Sequence, residues 1–367
     1  MQTKVSRRRI MQVAGLAALA PTVKATARTR KTTWPIEEGA DTPKLCMGVR
    51  GSTESERAAY IHGIRQLGVT HVLQGGGRIP WDETELRAKI KEYKEAGVTL
   101  YNQMIGGFPN TIYGKPGRDE EIDKVMQSIR AAGRAGLPVI EYNWYAHRAK
   151  EGYYKEVGRA GTGYTAYNYD RMKDLEPPET GAYTEEQLWA NITYFHKAVV
   201  PVAEEYGVRL ALHPNDPPVA NSRGSEQIIA RLSNWKRLLR TVPSTSNGMT
   251  YDSGVTTELG EDAVSWCRYL GERDCINHVH YRNVQVRKPY NDYTEVFPDE
   301  GEADMFGVMK ELVRVGYTGV IYPEHPRGFD YDETQEVRSS YPGGGAYTGY
   351  AYNVAYARAM LQAALSS

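Results

Sequence analysis

The 367-residue sequence predicts a (β/α)8 barrel, and three observations support that prediction. First, a helical stretch that ends in glycine and is followed within one or two residues by a β-rich run recurs along the chain. Second, eight candidate strands alternate with helical stretches. Third, four of these strands end in side chains that can bind a metal, and barrel enzymes build their sites at such strand ends.

The repeated unit combines a helix end, a glycine and a strand. Its five instances contain Gly68, Gly97, Gly136, Gly207 and Gly316. Because glycine lacks a Cβ atom, it adopts the left-handed conformation just past a helix end without strain. Helix, short turn and strand together form half of a βαβ unit, so we expect a parallel sheet.

The candidate strands define the barrel. They lie near residues 45–50, 71–75, 99–104, 138–144, 209–214, 248–253, 276–283 and 319–324. Helices are predicted between them, for example over Asp119–Ala135, Thr184–Tyr206 and Ser225–Thr241. The alternative is an open, doubly wound sheet, which binds its ligand at one switch point and not at four successive strand ends. The barrel is therefore the predicted fold.

The first 43 residues are predicted to lie outside the barrel. Residues 1–27 contain Arg7–Arg9, a short apolar segment and small residues around Ala25, in the order typical of a twin-arginine export signal. The alternative is a disordered basic tail or a cytosolic amphipathic start. Residues 28–43 are predicted to be a linker and residues 44–367 the catalytic barrel. We expect a periplasmic protein, or a cytoplasmic one if the signal does not function.

The composition is that of a soluble globular protein, with 41% hydrophobic and 25% charged residues. The formal net charge is zero, which gives no electrostatic reason to expect nucleic acid or, after export, a membrane as partner. Three cysteines without a CxxC pair predict inert thiols and no disulfide scaffold. The 27 tyrosines, against 5 phenylalanines, suit a polar pocket but also an ordinary wet surface.

Two long segments follow predicted strands at the end where barrel enzymes carry their sites. Residues 145–183 are rich in Tyr, Gly and Arg, and residues 284–304 contain two tyrosines and several acids. Their position makes them candidate lids. Decorative or oligomer-forming loops are the alternative, so the sequence leaves open whether the protein forms a homo-oligomer.

The predicted site consists of His213, Asp252, His280 and Glu324 at the ends of strands five to eight. Taken singly, a strand-end histidine is more often structural, and Asp252 could simply begin a turn. Two imidazoles and two carboxylates from neighbouring strands are together enough to bind one divalent ion. Because the set has no thiolate, Mn²⁺ is favoured, with Fe²⁺ and Mg²⁺ as the alternatives.

Polar residues next to these ligands are predicted to bind the substrate. His278 is two residues before His280 and therefore faces the same side of the strand. Arg282 and Asn283 follow at the mouth, where a planar guanidinium suits a carboxylate. Asn215 and Asp216 lie in the proline-rich loop behind His213 and are included for that reason.

Several segments resemble the mannonate dehydratase family of the xylose-isomerase-like barrels. They are Gly114–Asp119, Pro138–Trp144, His213–Pro218, Val242–Thr250, His280–Asn283, Pro323–His325 and the Pro-Gly-Gly-Gly-Ala-Tyr segment that ends at Tyr347. The resemblance extends in order from about residue 45 to the C-terminus. It implies metal-dependent elimination of water from a sugar acid, D-mannonate, to give 2-keto-3-deoxy-D-gluconate.

The resemblance also implies roles for individual residues. His213 and His280 match the metal-binding histidines of the family, and His325 matches its acid–base histidine. Tyr347 matches a tyrosine near the substrate, and Asn143 and Arg282 are then expected to face the substrate.

The chain departs from the family pattern at several positions. Asp252 stands where the family usually has cysteine, and Glu324 stands where it usually has aspartate. Both replacements keep a metal donor. Arg148 ends an Ala-His-Arg segment where the family has Trp-Thr-Arg, and we expect it to bind the substrate as well.

Two other functions remain open at this point. The His-Asp-His-Glu set also suits a metal-dependent sugar isomerase or epimerase, or a lyase acting on an oxidised glycoside. A catalytically inactive sugar-binding protein is the third possibility. The presence of His325 beside Glu324 argues against it, because pure binding needs no acid–base group next to the ligand.

Overall fold

The computed structural model describes residues 36–335 and 338–367. The predicted export signal at residues 1–27 and the first part of the predicted linker lie outside these residues. In chain order the strands are β1 Lys44–Gly48, β2 His71–Gly75, β3 Thr99–Ile105, β4 Val139–Tyr142, β5 Tyr153–Val157, β6 Gly163–Asn168, β7 Arg209–Leu212, β8 Asn221–Ser222, β9 Ser225–Glu226, β10 Asn247–Asp252, β11 Ile276–His280, β12 Asn283–Lys288, β13 Asp292–Val296 and β14 Val320–Tyr322.

The helices alternate with these strands for most of the chain. They are α1 Glu54–Gln66, α2 Glu83–Glu95, α3 Pro109–Tyr113, α4 Arg118–Ala135, α5 Glu185–Glu205, α6 Leu232–Leu239, α7 Ser253–Glu258, α8 Ala263–Gly271, α9 Met305–Arg314 and α10 Tyr347–Ser366. Short 3₁₀ turns cover Lys150–Gly152, Arg159–Gly161, Tyr169–Arg171 and Asp330–Thr334.

Eight parallel strands close into a barrel, which confirms the predicted fold. Their order around the barrel is β1-β14-β11-β10-β7-β4-β3-β2. The first and last strands pair through Lys44 with Val320, so the barrel has no open edge. Apolar residues of the strands and of the outer helices form one continuous core.

The local signals that predicted the repeated unit are present in the structure. The five glycines have φ between 66° and 85°, the left-handed region in which a Cβ atom is disfavoured. Helix α5 begins with a capping box, in which Thr184 and Gln187 satisfy each other's backbone N–H groups. Helix ends and strand starts therefore follow directly from these residues.

One predicted helix is too long. The sequence predicted a helix over Ser225–Thr241, but α6 begins only at Leu232. The preceding residues bind the loop that follows β7 instead. Gln227 donates from Nε2 to the carbonyl oxygen of Pro217 at 2.9 Å, and Ile229 donates its N–H to Asn215 Oδ1 at 2.7 Å. These hydrogen bonds hold residues 227–229 in an irregular conformation that is incompatible with a helix.

The two long insertions form a single structure, which we call the inserted sheet. It is a four-stranded antiparallel sheet with the order β12-β13-β6-β5. Strand β13 of the second insertion pairs with β6 of the first, with Tyr293 opposite Tyr167 and Glu295 opposite Thr165. The rings of Tyr167 and Tyr293 are stacked with centroids 5.4 Å apart. The predicted strand 276–283 is shorter in the structure: β11 ends at His280, and Asn283 already begins β12 of the inserted sheet.

Two composition-based expectations concern thiols and membranes. Cys46, Cys267 and Cys275 are free and buried, as expected for inert thiols. Within the part of the chain that the structure describes, none of the helices has the length and apolar character needed to cross a bilayer.

Candidate functional site

The four residues predicted to bind a metal come from four adjacent barrel strands. Asp252 and His280 end β10 and β11, His213 directly follows β7, and Glu324 lies two residues after β14. These strands are consecutive around the barrel. Their C-terminal ends therefore bring all four side chains to one side of the barrel mouth.

The ligand atoms of this group point at one another. His213 Nε2 lies 3.0 Å from His280 Nδ1, and Glu324 Oε1 lies 3.0 Å from the same His280 nitrogen. Asp252 Oδ2 lies 3.6 Å from His213 Nε2 and 3.8 Å from His280 Nδ1. One atom from each residue falls within 4.8 Å of all the others, and all four residues are buried. The group can surround a single ion.

The chemistry of the donor set fits a divalent cation. Glu324 Oε1 is buried and makes no hydrogen bond to the described residues. Burial lowers the pKa of His280, but the carboxylates of Glu324 and Glu141 outweigh it and raise this pKa to about 9. The site thus favours a positive charge at this point, which a proton or a metal ion can supply. Imidazole and carboxylate donors without thiolate suit Mn²⁺, Fe²⁺ or Mg²⁺.

Glu141 on β4 supports His280 from behind. Its Oε1 lies 3.3 Å from His280 Nε2, the ring nitrogen that points away from the other three ligands. Asn102 donates to Glu141 Oε2 at 3.1 Å, and Thr250 donates to Oε1 at 2.9 Å. A buried carboxylate held in this way fixes the orientation of a metal-binding histidine.

His278 lies inside the barrel beneath His280, with ring centroids 5.0 Å apart. It is fully buried, and neither of its ring nitrogens has a hydrogen-bond partner among the described residues. Burial lowers its pKa to about 3, so the ring is neutral. His278 precedes His280 by two residues on β11 and therefore lies deeper in the barrel, and its predicted contact with substrate stays a prediction.

Arg282 is a buried cation surrounded by carboxylates. Its nitrogens lie between 2.6 and 3.9 Å from the carboxylates of Asp216, Asp252, Glu258, Glu295 and Glu324. Nε and Nη1 donate hydrogen bonds to Asp252 and Glu258. Nη2 is buried without a hydrogen-bond partner in the described chain and lies 3.5 Å from Asp216 Oδ2, so the predicted contact of Arg282 with substrate stays a prediction.

The side chains of two asparagines that were predicted to bind substrate form hydrogen bonds with backbone groups. Asn215 donates to the Trp144 carbonyl at 3.2 Å and accepts from the N–H of Ile229 at 2.7 Å. Asn283 donates to the Pro298 carbonyl at 2.9 Å. Both are at most 3% exposed. Their hydrogen bonds hold two loops in place, and substrate binding by these amides stays a prediction.

Asp216 and Arg148 lie together at the edge of the site. Tyr153 donates its hydroxyl to Asp216 Oδ1 at 2.7 Å, and Tyr293 approaches the same oxygen at 3.3 Å. Arg148 donates from Nε to the Asp216 carbonyl at 2.7 Å. Asp216 is buried, whereas 34% of the Arg148 side chain is exposed. Arg148 is thus a cation that a substrate can reach.

Asn143 occupies the opposite side of the mouth. It borders a cavity of about 400 Å³ at the ends of β2, β3 and β4, together with Met104, Phe108 and Tyr145. Its side chain is half-buried, and its amide makes only a long contact of 3.8 Å with the Met104 sulfur. A substrate in this cavity can reach the amide, as the sequence predicted.

His325 lies next to the metal-binding group. Its Nε2 is 3.5 Å from Glu324 Oε2, and its Nδ1 is 3.0 Å from Oε2 of Glu295, a residue of the inserted sheet. Burial lowers the pKa of His325, but Glu295 and Glu324 outweigh burial and raise it above the usual value. The backbone φ of +47° is in the left-handed region, which non-glycine residues rarely adopt.

The structure does not bring Tyr347 to the site. The Tyr347 hydroxyl donates to the Gly63 carbonyl of α1 at 2.9 Å, on the outer side of the barrel. Tyr341, six residues earlier, has its ring 5.1 Å from that of His325 and 5.5 Å from the Arg148 guanidinium. Tyr341 directly precedes the predicted segment, whereas Tyr347 begins α10 and its hydroxyl is bound at α1.

Three residues of the site were missed in the sequence. Tyr341 directly precedes the Pro-Gly-Gly-Gly-Ala-Tyr segment that carries the family resemblance, and Glu141 lies in the Pro138–Trp144 segment quoted for it. Glu141 could have been found as a carboxylate inside an otherwise apolar strand, since such residues are rarely buried without a partner. Glu295 gave no comparable signal.

We expect His213→Ala to weaken Mn²⁺ binding by more than the ~10–100-fold that loss of an outer partner of a metal site costs, because it removes a direct donor. His325→Ala should leave the affinity within about threefold of the original, since the other donors remain. Isothermal titration calorimetry measures both. His62→Asn, an exposed residue of α1, is the control. Equal loss in His213→Ala and His325→Ala would contradict this division of roles.

Comparisons with known proteins agree with this geometry. The family model for D-mannonate dehydratase (UxuA) matches residues 168–366. The mannonate dehydratase of Streptococcus suis (strain 05ZYH33) is 32% identical over 296 residues, which cover 73% of this chain and 79% of that protein. The crystal structure of mannonate dehydratase from Streptococcus suis serotype 2 superposes with a TM-score of 0.78 at 26% identity, covering 88% of this chain and 95% of that one.

More distant structures share the barrel alone. The structure of L-ribulose 3-epimerase superposes with a TM-score of 0.58 at 13% identity, covering 89% of this chain and 96% of that chain. Identity this low supports the fold and no activity. The family model goes further, because its match over residues 168–366 spans His213, Asp252, His280 and Glu324, and the sequence relatives bear the same family name. The chain belongs to the D-mannonate dehydratase (UxuA) family.

Proposed function

We propose that the protein is a metal-dependent sugar-acid dehydratase that converts D-mannonate into 2-keto-3-deoxy-D-gluconate. The observation that carries the proposal is the convergence of His213, Asp252, His280 and Glu324, with His325 beside them, at the mouth of a barrel of this family. Metal donors alone would support binding. A buried acid–base group next to them supports catalysis.

The proposed cofactor is Mn²⁺, with Fe²⁺ and Mg²⁺ as alternatives, held by these four residues. A divalent ion supplies Lewis acidity: it polarises the carboxylate and the neighbouring hydroxyl of a bound sugar acid and so acidifies the proton on C2. Arg148, with a third of its side chain exposed, gives an additional positive charge for the acid. This cation favours an anionic substrate over a neutral sugar.

Elimination requires a base for the C2 proton and an acid for the leaving C3 hydroxyl. Burial raises the pKa of Tyr341, so this residue keeps its proton and suits the role of acid. Glu324 and Glu295 both raise the pKa of His325. When Glu324 binds a cation, its negative charge is neutralised and no longer raises this pKa. The unprotonated Nε2 of His325 is then available as the base.

The protons taken up and released by His325 and Tyr341 are equal in number over the reaction. His325 takes the C2 proton, and the C3 hydroxyl leaves as water with the proton of Tyr341. The adjacent His325 then returns a proton to Tyr341, and the enol product tautomerises to the 2-keto acid. The ring separation of 5.1 Å makes them direct neighbours.

A metal-dependent isomerase or epimerase is the second candidate. The specific observation in its favour is the donor set, in which Asp252 and Glu324 give two carboxylates to the metal group. Such an enzyme would also remove a proton next to a carbonyl or hydroxyl carbon, but it would release no water. Its substrates would be neutral sugars, for which the exposed cation Arg148 has no evident use.

Incubation of the Mn²⁺-loaded protein with D-mannonate is expected to yield 2-keto-3-deoxy-D-gluconate, and EDTA treatment should abolish the reaction. His325→Ala should lower kcat by ~10²–10⁴-fold, the usual contribution of general acid–base catalysis. His62→Asn, remote from the site, should retain full activity. Product formation is followed by a colorimetric assay for 2-keto-3-deoxy acids. Proton exchange at C2 of neutral sugars without release of water would instead support the isomerase.

We also propose that residues 1–27 direct export by the twin-arginine route, which supports a periplasmic location. The order of arginines, apolar segment and small residues supports this. Replacing Arg7–Arg9 by lysine should retain the precursor in the cytoplasm, because the route recognises arginine and not charge alone. Cell fractionation measures this, and lysine at Arg28 and Arg30 is the charge-matched control. Unchanged export of the first variant would contradict the proposal.

A further inference from the structure

Glu295 is a buried carboxylate that the barrel does not supply. It lies on β13 of the inserted sheet and is 1% exposed. Its Oε2 is 3.0 Å from Nδ1 of His325, close enough for a hydrogen bond, although the two groups are not aligned as one in the described chain. The contact joins a residue of an insertion to the histidine that follows the last barrel strand. The acid–base histidine therefore depends on a part of the chain outside the barrel.

Arg327 fixes both partners of this contact. Its Nη2 donates to Glu295 Oε2 at 2.7 Å, and its Nη1 donates to the Glu295 carbonyl at 3.0 Å. Its Nε donates to the carbonyl of His325 at 3.1 Å. The guanidinium is 1% exposed. One buried arginine thus holds the carboxylate and the histidine backbone in a single arrangement.

The turn that carries His325 is also fixed from the barrel side. Asn353 of α10 donates to the Glu324 carbonyl at 2.8 Å. Gly345 donates its N–H to the Pro326 carbonyl at 2.7 Å. The φ of +47° at His325 is maintained by these contacts. With the backbone fixed, the ring has Nδ1 at Glu295 and Nε2 at Glu324.

We propose that Glu295 is the positioning residue of His325: it accepts the proton on Nδ1 as a hydrogen bond and so keeps Nε2 directed at the reacting carbons. The proposal rests on the proposed function insofar as His325 is its acid–base group. A carboxylate that binds one imidazole nitrogen selects the tautomer and orientation of the ring. The inserted sheet then contributes to catalysis and not only to covering the mouth.

A second metal ion is the competing explanation for this group, because Asp216, Glu295 and His325 also bring three donor atoms within 4.8 Å. The charges argue against it. Arg327 lies 2.7 Å and Arg282 lies 3.9 Å from the Glu295 carboxylate, and Arg282 lies 3.5 Å from Asp216. Two buried guanidinium groups already lie against these carboxylates, so a further cation placed there would meet repulsion from both.

The kinetic test is a double-mutant cycle with the manganese-loaded full-length protein. Glu295→Gln should lower kcat by ~10–100-fold, as loss of an outer partner typically does, with little change in KM. In the His325→Ala background the same substitution should cost less than about twofold, because Glu295 acts through His325. Glu156→Gln, on β5 of the same sheet, is the matched control and should retain full activity. An equal loss in both backgrounds would show a merely structural role and overturn the proposal.

A spectroscopic test is independent of the reaction. Long-range ¹H–¹⁵N spectra of the metal-free protein, assigned with His325→Ala, should show a slowly exchanging proton on Nδ1 of His325. Glu295→Gln should abolish this signal and Glu156→Gln should retain it. Two results would overturn the proposal: the Nδ1 proton signal is retained in Glu295→Gln, or that variant loses a second bound Mn²⁺. If the spectra are as expected but D-mannonate is not converted, the result contradicts the proposed function and leaves the positioning role of Glu295 intact.

Discussion

The burial of several carboxylates at the mouth of the barrel is the constraint on which the site depends. Asp216, Asp252, Glu295 and Glu324 all lie within 4 Å of Arg282 and are shielded from water. A buried carboxylate without a balancing positive charge destabilises the folded protein by roughly several kcal/mol. Glu258 also contacts this guanidinium, and one guanidinium cannot balance five carboxylates, so Arg327, His280 and a cation held by the metal-binding group would supply further positive charge. Metal binding and the stability of the mouth are therefore coupled.

The inserted sheet completes what the barrel begins. The barrel strands present the metal-binding group, whereas the sheet presents Glu295, Tyr153 and Tyr293 to His325 and Asp216. Tyrosine suits this layer, because the ring packs among other rings while the hydroxyl reaches a polar partner. The large number of tyrosines in the sequence thus has a partial explanation in the packing of the two insertions against each other and onto the site.

The fold and the metal-binding group could be predicted because their signals are local. Glycines past helix ends, apolar runs and the residue at a strand end are each read from a few neighbouring positions. The hydrogen bonds of Asn215 and Asn283 could not be predicted, because their partners are backbone groups that only loop closure brings near. Glu295 could not be found, because its role depends on the pairing of two distant insertions. The contact of Tyr347 with α1 could not be predicted either, because it depends on the residue at which α10 begins.

The most direct test of the central claim is anomalous diffraction at the manganese edge from crystals grown with Mn²⁺. The account predicts one peak between His213, Asp252, His280 and Glu324, with Glu141 in contact with His280 Nε2 and not with the metal. A peak held by Glu141 and His278, or one at Asp216 and Glu295, would contradict the assignment of the metal group. The absence of any peak at the barrel mouth would contradict the metal-dependent mechanism itself.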